Sequence, residues 1–162
     1  MADQASLVIV KPDAIQRGLT GAVLARIDAL RLEIIGAKVT KVSKETAEAH
    51  YSNIRGKPFF DETVDFLQGK LHGVAGVLAL VYWGEDAVER LRRLTGATHP
   101  EKADPSTIRG AFGRMHTTGL MENVLHASAD PADAEREIRL WFQPSELVRD
   151  IFSASSRQTA AR

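Results

Sequence analysis

Two continuous apolar runs, at residues 7–10 and 74–83, constrain the fold of this 162-residue chain more than any other feature of its sequence. An apolar run of this kind is typical of a central strand that is buried on both faces. Between the two runs, apolar and polar residues alternate over residues 33–42, which predicts a half-buried strand. A fourth, short extended segment ends at residues 124–125, and His126 follows it directly. The chain is therefore expected to contain four strands.

Between and after these strands lie segments in which apolar residues recur at helical spacing. An apolar stripe over residues 23–30 predicts the first helix. For the last helix, Asp130 is a suitable N-cap and Pro131 suits the first helical position. Residues 98–121, rich in Gly, Thr and basic residues, are predicted to form a long loop, a kind of segment that is usually functional. The helices predicted after the first cover residues 44–51 (capped by Ser43), 62–68, 86–94 and 132–142.

The order of these elements predicts a βαββαβ chain, which is the split-βαβ or ferredoxin-like pattern. The expected fold class is α+β, an α/β sandwich in which a four-stranded antiparallel sheet carries its helices on one face. At 162 residues the chain is long enough for one domain with a substantial core, and we assign residues 1–152 to that domain. The small and polar residues 153–162 are predicted to form a flexible C-terminal tail.

Composition excludes several classes of site and partner. Lys and Arg together number 21, as do Asp and Glu, so a net charge of zero gives no overall attraction to nucleic acid or to a membrane surface. The absence of cysteine excludes disulfides, thiolate metal ligands and cysteine nucleophiles. The first apolar run is too short for a signal peptide, and no segment has the length of a membrane span. We therefore expect a cytoplasmic protein without a membrane partner or a specific nucleic-acid partner.

The last predicted helix points to a pair of titratable side chains. Glu137 lies on the same apolar stripe as Ala134, Ile138 and Trp141, and a carboxylate on a buried face usually needs a partner. The helix begins just after His126, so the nearest candidate partner is that imidazole. The sequence leaves open the alternative that His126 only packs and that Glu137 reaches solvent at the edge of the stripe.

Several cations and one hydroxyl lie where strands end or loops begin. If they converge, they would suit the charge of a di- or triphosphate. Taken singly, each cation is more simply interpreted as a solvated surface charge. The common nucleotide motifs, a Walker loop and G-x-G-x-x-G, are absent from the sequence. The residues concerned are Lys11, Arg92, Thr98, Arg109 and Arg114.

Aromatic and histidine side chains complete the set of candidates. Tyr51 and Phe59 could offer a ring to a flat ligand, whereas Phe60 is expected in the core. A neutral imidazole is nucleophilic and is a good leaving group from phosphorus, so the residues taken alone indicate a phosphate site centred on His126. The other histidines show no regular metal-binding spacing and are expected to be polar groups of the surface and loops: His50, His72, His99 and His116.

Six stretches make the sequence similar to the nucleoside diphosphate kinase family from about residue 7 to about residue 148. Together they are highly specific, although none would be sufficient alone. They are Lys11-Pro-Asp-Ala-Ile-Gln-Arg-Gly18, His50-Tyr51, Lys57-Pro-Phe-Phe60, Thr107-Ile-Arg-Gly110, Asn123-Val-Leu-His126-Ala-Ser128 and Glu137-Ile-Arg-Leu-Trp-Phe142.

The resemblance implies an enzyme that passes the γ-phosphate of a nucleoside triphosphate, typically ATP, to a nucleoside diphosphate. It implies a ping-pong route through a phosphohistidine at Nδ1 of His126, with Glu137 orienting the ring and Ser128 close by. It also implies broad tolerance of base and sugar, Mg²⁺ bound mainly through the nucleotide phosphates with no protein ligand assigned, and assembly into a homo-oligomer.

The same resemblance implies which residues hold the nucleotide. Arg92, Thr98 and Arg109 would bind the phosphates. Lys11 and Asn123 would contact the ribose 3′-hydroxyl region, and Phe59 would stack against the base. Tyr51 and Lys11 would also take part in catalysis.

Three departures from the family pattern lie near these residues. Ala129 stands where an aspartate is common, Ala111 where an acidic residue is frequent, and residues 110–123 form a longer segment than in the commonest members. Two alternatives to the enzyme stay open, the first of them because of Ala129. One is a non-catalytic nucleotide-binding or regulatory protein that keeps the pocket, and the other is a protein that passes its phosphate to histidines of other proteins.

Overall fold

A computed structural model describes residues 2–152 of the chain. This part of the chain contains six β-strands. These strands are β1 (Asp3–Val10), β2 (Glu33–Thr40), β3 (Val77–Glu85), β4 (Arg114–Met115), β5 (Met121–Glu122) and β6 (Leu125–Ala127). Four of them form the main sheet in the order β2-β3-β1-β6, with every neighbouring pair antiparallel. The predicted four-stranded antiparallel sheet of a ferredoxin-like fold is confirmed, and β4 and β5 pair separately.

The same part of the chain contains seven α-helices, and the two predicted N-caps, Ser43 and Asp130, are confirmed. Ser43 Oγ accepts a hydrogen bond from the amide of Thr46 at 3.1 Å, and Asp130 Oδ1 accepts one from the amide of Asp133 at 2.8 Å. The helices are α1 (Pro12–Gln16), α2 (Thr20–Asp28), α3 (Lys44–His50), α4 (Phe60–Leu67), α5 (Ala87–Thr95), α6 (Ile108–Phe112) and α7 (Pro131–Trp141).

Strand β1 is central in the sheet and is covered on both faces. It pairs with β3 along its whole length and with β6 at its last three residues. Leu7 and Ile9 pack with residues of α3, α4 and α7, whereas Val8 and Val10 pack with residues of α2 and α5 on the other face. The expectation of helices on one face is therefore wrong. A continuous apolar run needs apolar partners on both sides of the sheet, and the chain supplies them.

The segment predicted as one long loop, residues 98–121, contains regular structure. It holds α6, β4 and the first residue of β5, which pairs with β4 in a hairpin. Thr107 caps α6 by accepting a hydrogen bond from the amide of Gly110 at 3.2 Å. The sequence did not indicate these elements because each is shorter than two periods of the pattern that would identify it.

Two expectations concern the ends of the chain and membranes. The predicted flexible tail at residues 153–162 lies outside the described residues. Within residues 2–152, no helix combines the length and the apolar character that crossing a membrane requires.

Candidate active site

A tight backbone turn at residues 123–125 delivers His126 to the edge of the sheet. The amide of Leu125 donates to the carbonyl of Asn123 at 2.8 Å, across Val124, whose φ is +74°. A γ-turn of this hand is rare for a β-branched residue and stores backbone strain. The buried carboxylate of Asp13 accepts a hydrogen bond from the Val124 amide at 2.9 Å and helps to hold the turn. Sequence reasoning did not identify this role of Asp13.

His126 and Glu137 form a hydrogen-bonded pair between β6 and α7. Nε2 of His126 lies 3.0 Å from Oε2 of Glu137, and Oγ of Ser128 donates to the same oxygen at 2.7 Å. Glu137 is only 3% exposed, so the alternative that it reaches solvent is wrong. The carboxylate therefore has two neighbours that fix its orientation.

Electrostatics keep the His126 ring neutral. Burial, followed by the positive charges of Lys11, Arg109 and Arg92, lowers the pKa of His126 to about 3. Burial raises the pKa of Glu137 above its ordinary value, against the effect of the hydrogen bond from Ser128. Because a carboxylate oxygen accepts, the Nε2 of the neutral ring carries the proton and donates it. Nδ1 then keeps its lone pair.

Two buried cations stand beside this ring. Nζ of Lys11 donates to Oδ1 of Asn123 at 2.7 Å, and burial lowers the pKa of Lys11 to about 8 although Asp13 opposes the shift. Arg109 donates to the carbonyls of Asn123 and Leu125 at 3.2 and 2.8 Å. Burial, followed by the charge of Arg92, lowers the pKa of Arg109 to about 10. Both side chains are thus cationic at neutral pH.

The predicted substrate-binding residues surround one cleft of about 450 Å³. Lys11, Arg92 and Arg109 converge there. The interpretation as a solvated surface charge is wrong for Lys11 and Arg109, which are 8% and 6% exposed, whereas Arg92 is exposed at the cleft. Phe59 is 51% exposed at the cleft while Phe60 is 9% exposed in the core, as expected. The predicted residues that line the cleft are Lys11, Tyr51, Phe59, Arg92, Thr98, Arg109, Asn123, His126 and Glu137.

Three expectations for individual residues are wrong. Arg114 does not line the cleft and instead pairs with Glu122. His50 and His72 are not surface groups, because they are 2% and 6% exposed. The position of His50 three residues after the buried Ala47 is a helical spacing that could have revealed its burial.

His50 packs directly against the ring of His126. Their centroids are 4.4 Å apart, and Nδ1 of His50 accepts a hydrogen bond from Nε1 of Trp141 at 3.1 Å. Burial lowers the pKa of His50 well below its ordinary value, so its ring is neutral with the proton on Nε2. The cleft also contains Arg136, whose Nη2 lies 3.6 Å from Oε1 of Glu137 and which sequence reasoning missed.

One group of potential metal ligands occurs among residues 2–152, namely His50, His126 and Glu137, with ligand atoms within 4.8 Å of one another. Neither nitrogen of His50 has a lone pair free for a metal, because Nδ1 accepts the hydrogen bond from Trp141 and Nε2 carries the proton. The group also offers a single carboxylate, which His126 and Ser128 already engage. Mg²⁺ prefers several oxygen ligands, so this cluster does not fit that ion.

The three departures from the family pattern remove neither the predicted nucleophile nor a predicted phosphate-binding residue. Asp130 caps α7 although Ala129 occupies the preceding position. Ala111 is exposed on α6, away from the cleft lining, and residues 110–123 hold the β4–β5 hairpin. Ala129 itself lines the cleft, so the carboxylate that is common at this position is missing from the lining, although every predicted nucleotide-binding side chain and His126 are present.

Comparisons with known proteins agree with this geometry. A family model described as nucleoside diphosphate kinase matches residues 4–147. The nucleoside diphosphate kinase of Bacillus licheniformis is 46% identical over 90% of this chain and 92% of that protein. The Pyrococcus furiosus enzyme of the same name is 42% identical over 88% and 84%.

Solved structures give the same result. The halophilic nucleoside diphosphate kinase from Halobacterium salinarum in complex with CDP has a TM-score of 0.82 at 38% identity, covering 96% of this chain and 98% of that chain. The structure of the Borrelia burgdorferi nucleoside-diphosphate kinase, a transition state mimic with bound vanadate and ADP, has a TM-score of 0.81 at 33% identity. The match covers 96% of this chain and 96% of that chain.

Proposed function

This chain belongs to the nucleoside diphosphate kinase family, and we propose that it carries the transferred phosphate on Nδ1 of His126. It is a phosphotransferase that moves the γ-phosphate of a nucleoside triphosphate to a nucleoside diphosphate. The observation that carries the proposal is the hydrogen bond between Nε2 of His126 and Glu137, because it leaves the other ring nitrogen with its lone pair.

The transfer takes place in two balanced steps. The Nδ1 lone pair attacks the γ-phosphorus, the N–P bond forms as the bond to the bridging oxygen breaks, and the nucleoside diphosphate leaves. The Nε2 proton stays on the ring, where the Glu137 carboxylate stabilises the positive charge that the ring gains. A second diphosphate then attacks the phosphorus through a terminal oxygen, and the N–P electron pair returns to Nδ1.

The cations of the cleft provide positioning and charge neutralisation, which phosphoryl transfer needs most. Arg92 and Arg109 bind the phosphates together with the hydroxyl of Thr98. Lys11, held by Asn123, stands at the ribose 3′-hydroxyl region and near the transferred group. Tyr51 lines the same cleft, and burial raises the pKa of its hydroxyl well above the ordinary value, so it is a hydrogen-bond donor at neutral pH.

We propose Mg²⁺ as the divalent metal that accompanies the nucleotide. The donor set of the cleft supports binding through phosphate oxygens, because its two carboxylates, Asp133 and Glu137, are already engaged by Arg136 and His126. When bound, the metal neutralises charge on the β- and γ-phosphates. The chain itself then supplies the arginines and the nucleophile.

The pH profile tests the role of Lys11. Its pKa of about 8 in the free enzyme means that the cation is present below this pH and is lost as the pH rises through it. We expect kcat/KM, which reports free-enzyme groups, to fall above about pH 8. Lys11→Arg should remove this limb, because a guanidinium does not deprotonate in this range. An unchanged limb in that variant would assign it to another group.

Stacking on Phe59 accounts for broad base tolerance, since every base offers an aromatic face. Phe59→Ala should weaken binding of purine and pyrimidine diphosphates alike, each by about 1–2 kcal/mol. Isothermal titration with ADP, GDP, CDP and UDP measures this effect. Leu71→Ala, which removes an exposed apolar side chain outside the cleft, is the control. A loss confined to one base would contradict stacking.

Labelling tests the proposed route and separates it from the two alternatives. The protein is incubated with γ-labelled ATP and Mg²⁺ without acceptor, then treated with a nucleoside diphosphate. The proposal expects an acid-labile label that the diphosphate discharges into nucleoside triphosphate. A protein that binds ATP but takes up no label would be a non-catalytic binder. Slow discharge by diphosphates with fast discharge by a protein would indicate transfer to protein histidines.

We propose further that the chain acts as one domain in the cytoplasm and assembles with copies of itself. Edge strand β2 supports the assembly, because Ile34 and Val39 are 43% and 80% exposed on it. Light scattering at several protein concentrations gives the mass directly. A monomer at all concentrations would contradict the assembly.

A further inference from the structure

The β4–β5 hairpin, residues 114–122, is anchored to the protein by one buried carboxylate. Glu122 is 2% exposed, and its Oε1 lies 3.0 Å from Nε2 of His72, which is also buried. Its Oε2 accepts a hydrogen bond from Nε of Arg114, whose side chain is 48% exposed. We call these three residues the Glu122 triad.

The hairpin depends on this anchor because its own pairing is minimal. Each strand contributes two residues, Arg114 opposite Glu122 and Met115 opposite Met121. An isolated two-stranded hairpin is marginal even at greater length. Burial acts to raise the pKa of Glu122, but hydrogen bonds from Arg114 and His72 outweigh it and lower that pKa, so the anchor is a charged one.

Glu122 lies between two residues that line the cleft, Met121 and Asn123. Successive side chains of an extended chain point to opposite sides, so anchoring Glu122 inward directs its neighbours towards the cleft. Oδ1 of Asn123 accepts the hydrogen bond from Nζ of Lys11 at 2.7 Å. The position of the Lys11 ammonium thus depends on the residue next to the anchor.

A second route joins the triad to the same lysine. The ring of His72 packs edge-on against Phe66 with centroids 4.6 Å apart, and Nζ of Lys11 lies 4.7 Å from the centroid of Phe66. Phe66 is 4% exposed, so neither contact is shared with solvent. The triad therefore reaches Lys11 both through Asn123 and through an aromatic ring.

We propose that the Glu122 triad positions Lys11 and Asn123 for phosphoryl transfer, which makes Arg114, Glu122 and His72 positioning residues. They act through the lysine and the asparagine. The inference rests on the proposed function and extends it to the segment whose extra length the sequence singled out.

The kinetic test uses Arg114→Ala and Glu122→Gln, with Arg114→Lys as the conservative rescue. We expect kcat to fall roughly ten-fold in the first two variants while KM changes by less than about two-fold, since a small displacement of a positioned group costs rate more than affinity. Arg114→Lys should regain most of kcat. The matched control is Glu146→Gln, which breaks the 2.7 Å pair with Lys38 away from the cleft and should leave kcat unchanged.

A readout independent of activity is the titration of the Lys11 side chain by NMR in the nucleotide-free protein. The charged groups that act on Lys11 are Asp13 and Arg109, and neither is altered in the variants. In Arg114→Ala the Lys11 pKa should move from about 8 towards its ordinary value of 10.5, as the ammonium leaves its buried position. This measurement decides the inference even where Glu122→Gln does not fold.

The opposite results would overturn the inference. If Arg114→Ala lowers the melting temperature but keeps the wild-type Lys11 titration and the wild-type kcat per folded molecule, the triad is only a structural anchor. If the wild-type protein takes up no label from ATP, the proposed function fails, and the Lys11 titration still shows separately whether the triad sets the position of that lysine.

Discussion

His126→Ala is expected to abolish both the phosphoenzyme and turnover, with kcat falling by at least roughly 10⁴-fold. No neighbouring group can replace the nucleophile. His50 is adjacent, but its Nδ1 is engaged by Trp141 and its Nε2 carries the proton, so it offers no lone pair. Incubation with γ-labelled ATP and Mg²⁺ should label the wild-type protein in an acid-labile form and leave the variant unlabelled.

Two measurements keep this result from being ambiguous. The variant should still bind ADP with an affinity within a few-fold of wild type, because the cations of the cleft remain. His116→Ala is the matched control, since this histidine is exposed in the turn of the hairpin and away from the cleft, and it should take up label at wild-type stoichiometry. Equal labelling of His126→Ala and wild type would assign the phosphate to another residue.

Patterns that repeat along the chain made much of this fold predictable from the sequence. The apolar run in β1 indicated a strand buried on both faces, and the alternation of apolar and polar residues in β2 indicated a half-buried strand. The pairing of His126 with Glu137 followed from similar reasoning, because a carboxylate on the apolar stripe of α7 needs a partner. These inferences succeed because the buried face of a helix needs apolar residues once per turn and that of a strand needs them at every second residue. That period is visible in the sequence.

Features that arise from single contacts over long sequence distances could not be predicted in this way. Asp13 holds the turn at Val124 through one hydrogen bond across more than a hundred residues. Glu122 and His72 are separated by 50 positions, and neither lies on a helical stripe that would have indicated its burial. The convergence of cations on the cleft is of the same type. Sequence suggested the residue types, and only the resemblance to a family suggested that they meet.

Glu137→Gln should lower kcat by roughly 100-fold or more while leaving nucleotide affinity nearly unchanged. The charge that stabilises the phosphorylated ring is lost in either orientation of the new amide. If its oxygen faces His126, its NH₂ group faces Arg136, which lies 3.6 Å from Oε1 of Glu137. If its NH₂ group faces His126 instead, Nε2 must accept, and the proton moves to Nδ1, where it blocks the attacking lone pair.

The comparison that isolates this effect is the same substitution on the exposed side of the same helix. Glu135→Gln changes an equal charge in α7, where Oε1 of the carboxylate accepts hydrogen bonds from Arg139 at 2.8 and 3.1 Å. This substitution should leave kcat within about two-fold of wild type. Single-turnover labelling with ATP then separates the chemical step from product release. A Glu137→Gln enzyme that is labelled at the wild-type rate would show that the carboxylate neither fixes the tautomer of His126 nor stabilises its charged form, and the proposed mechanism would lose its central contact.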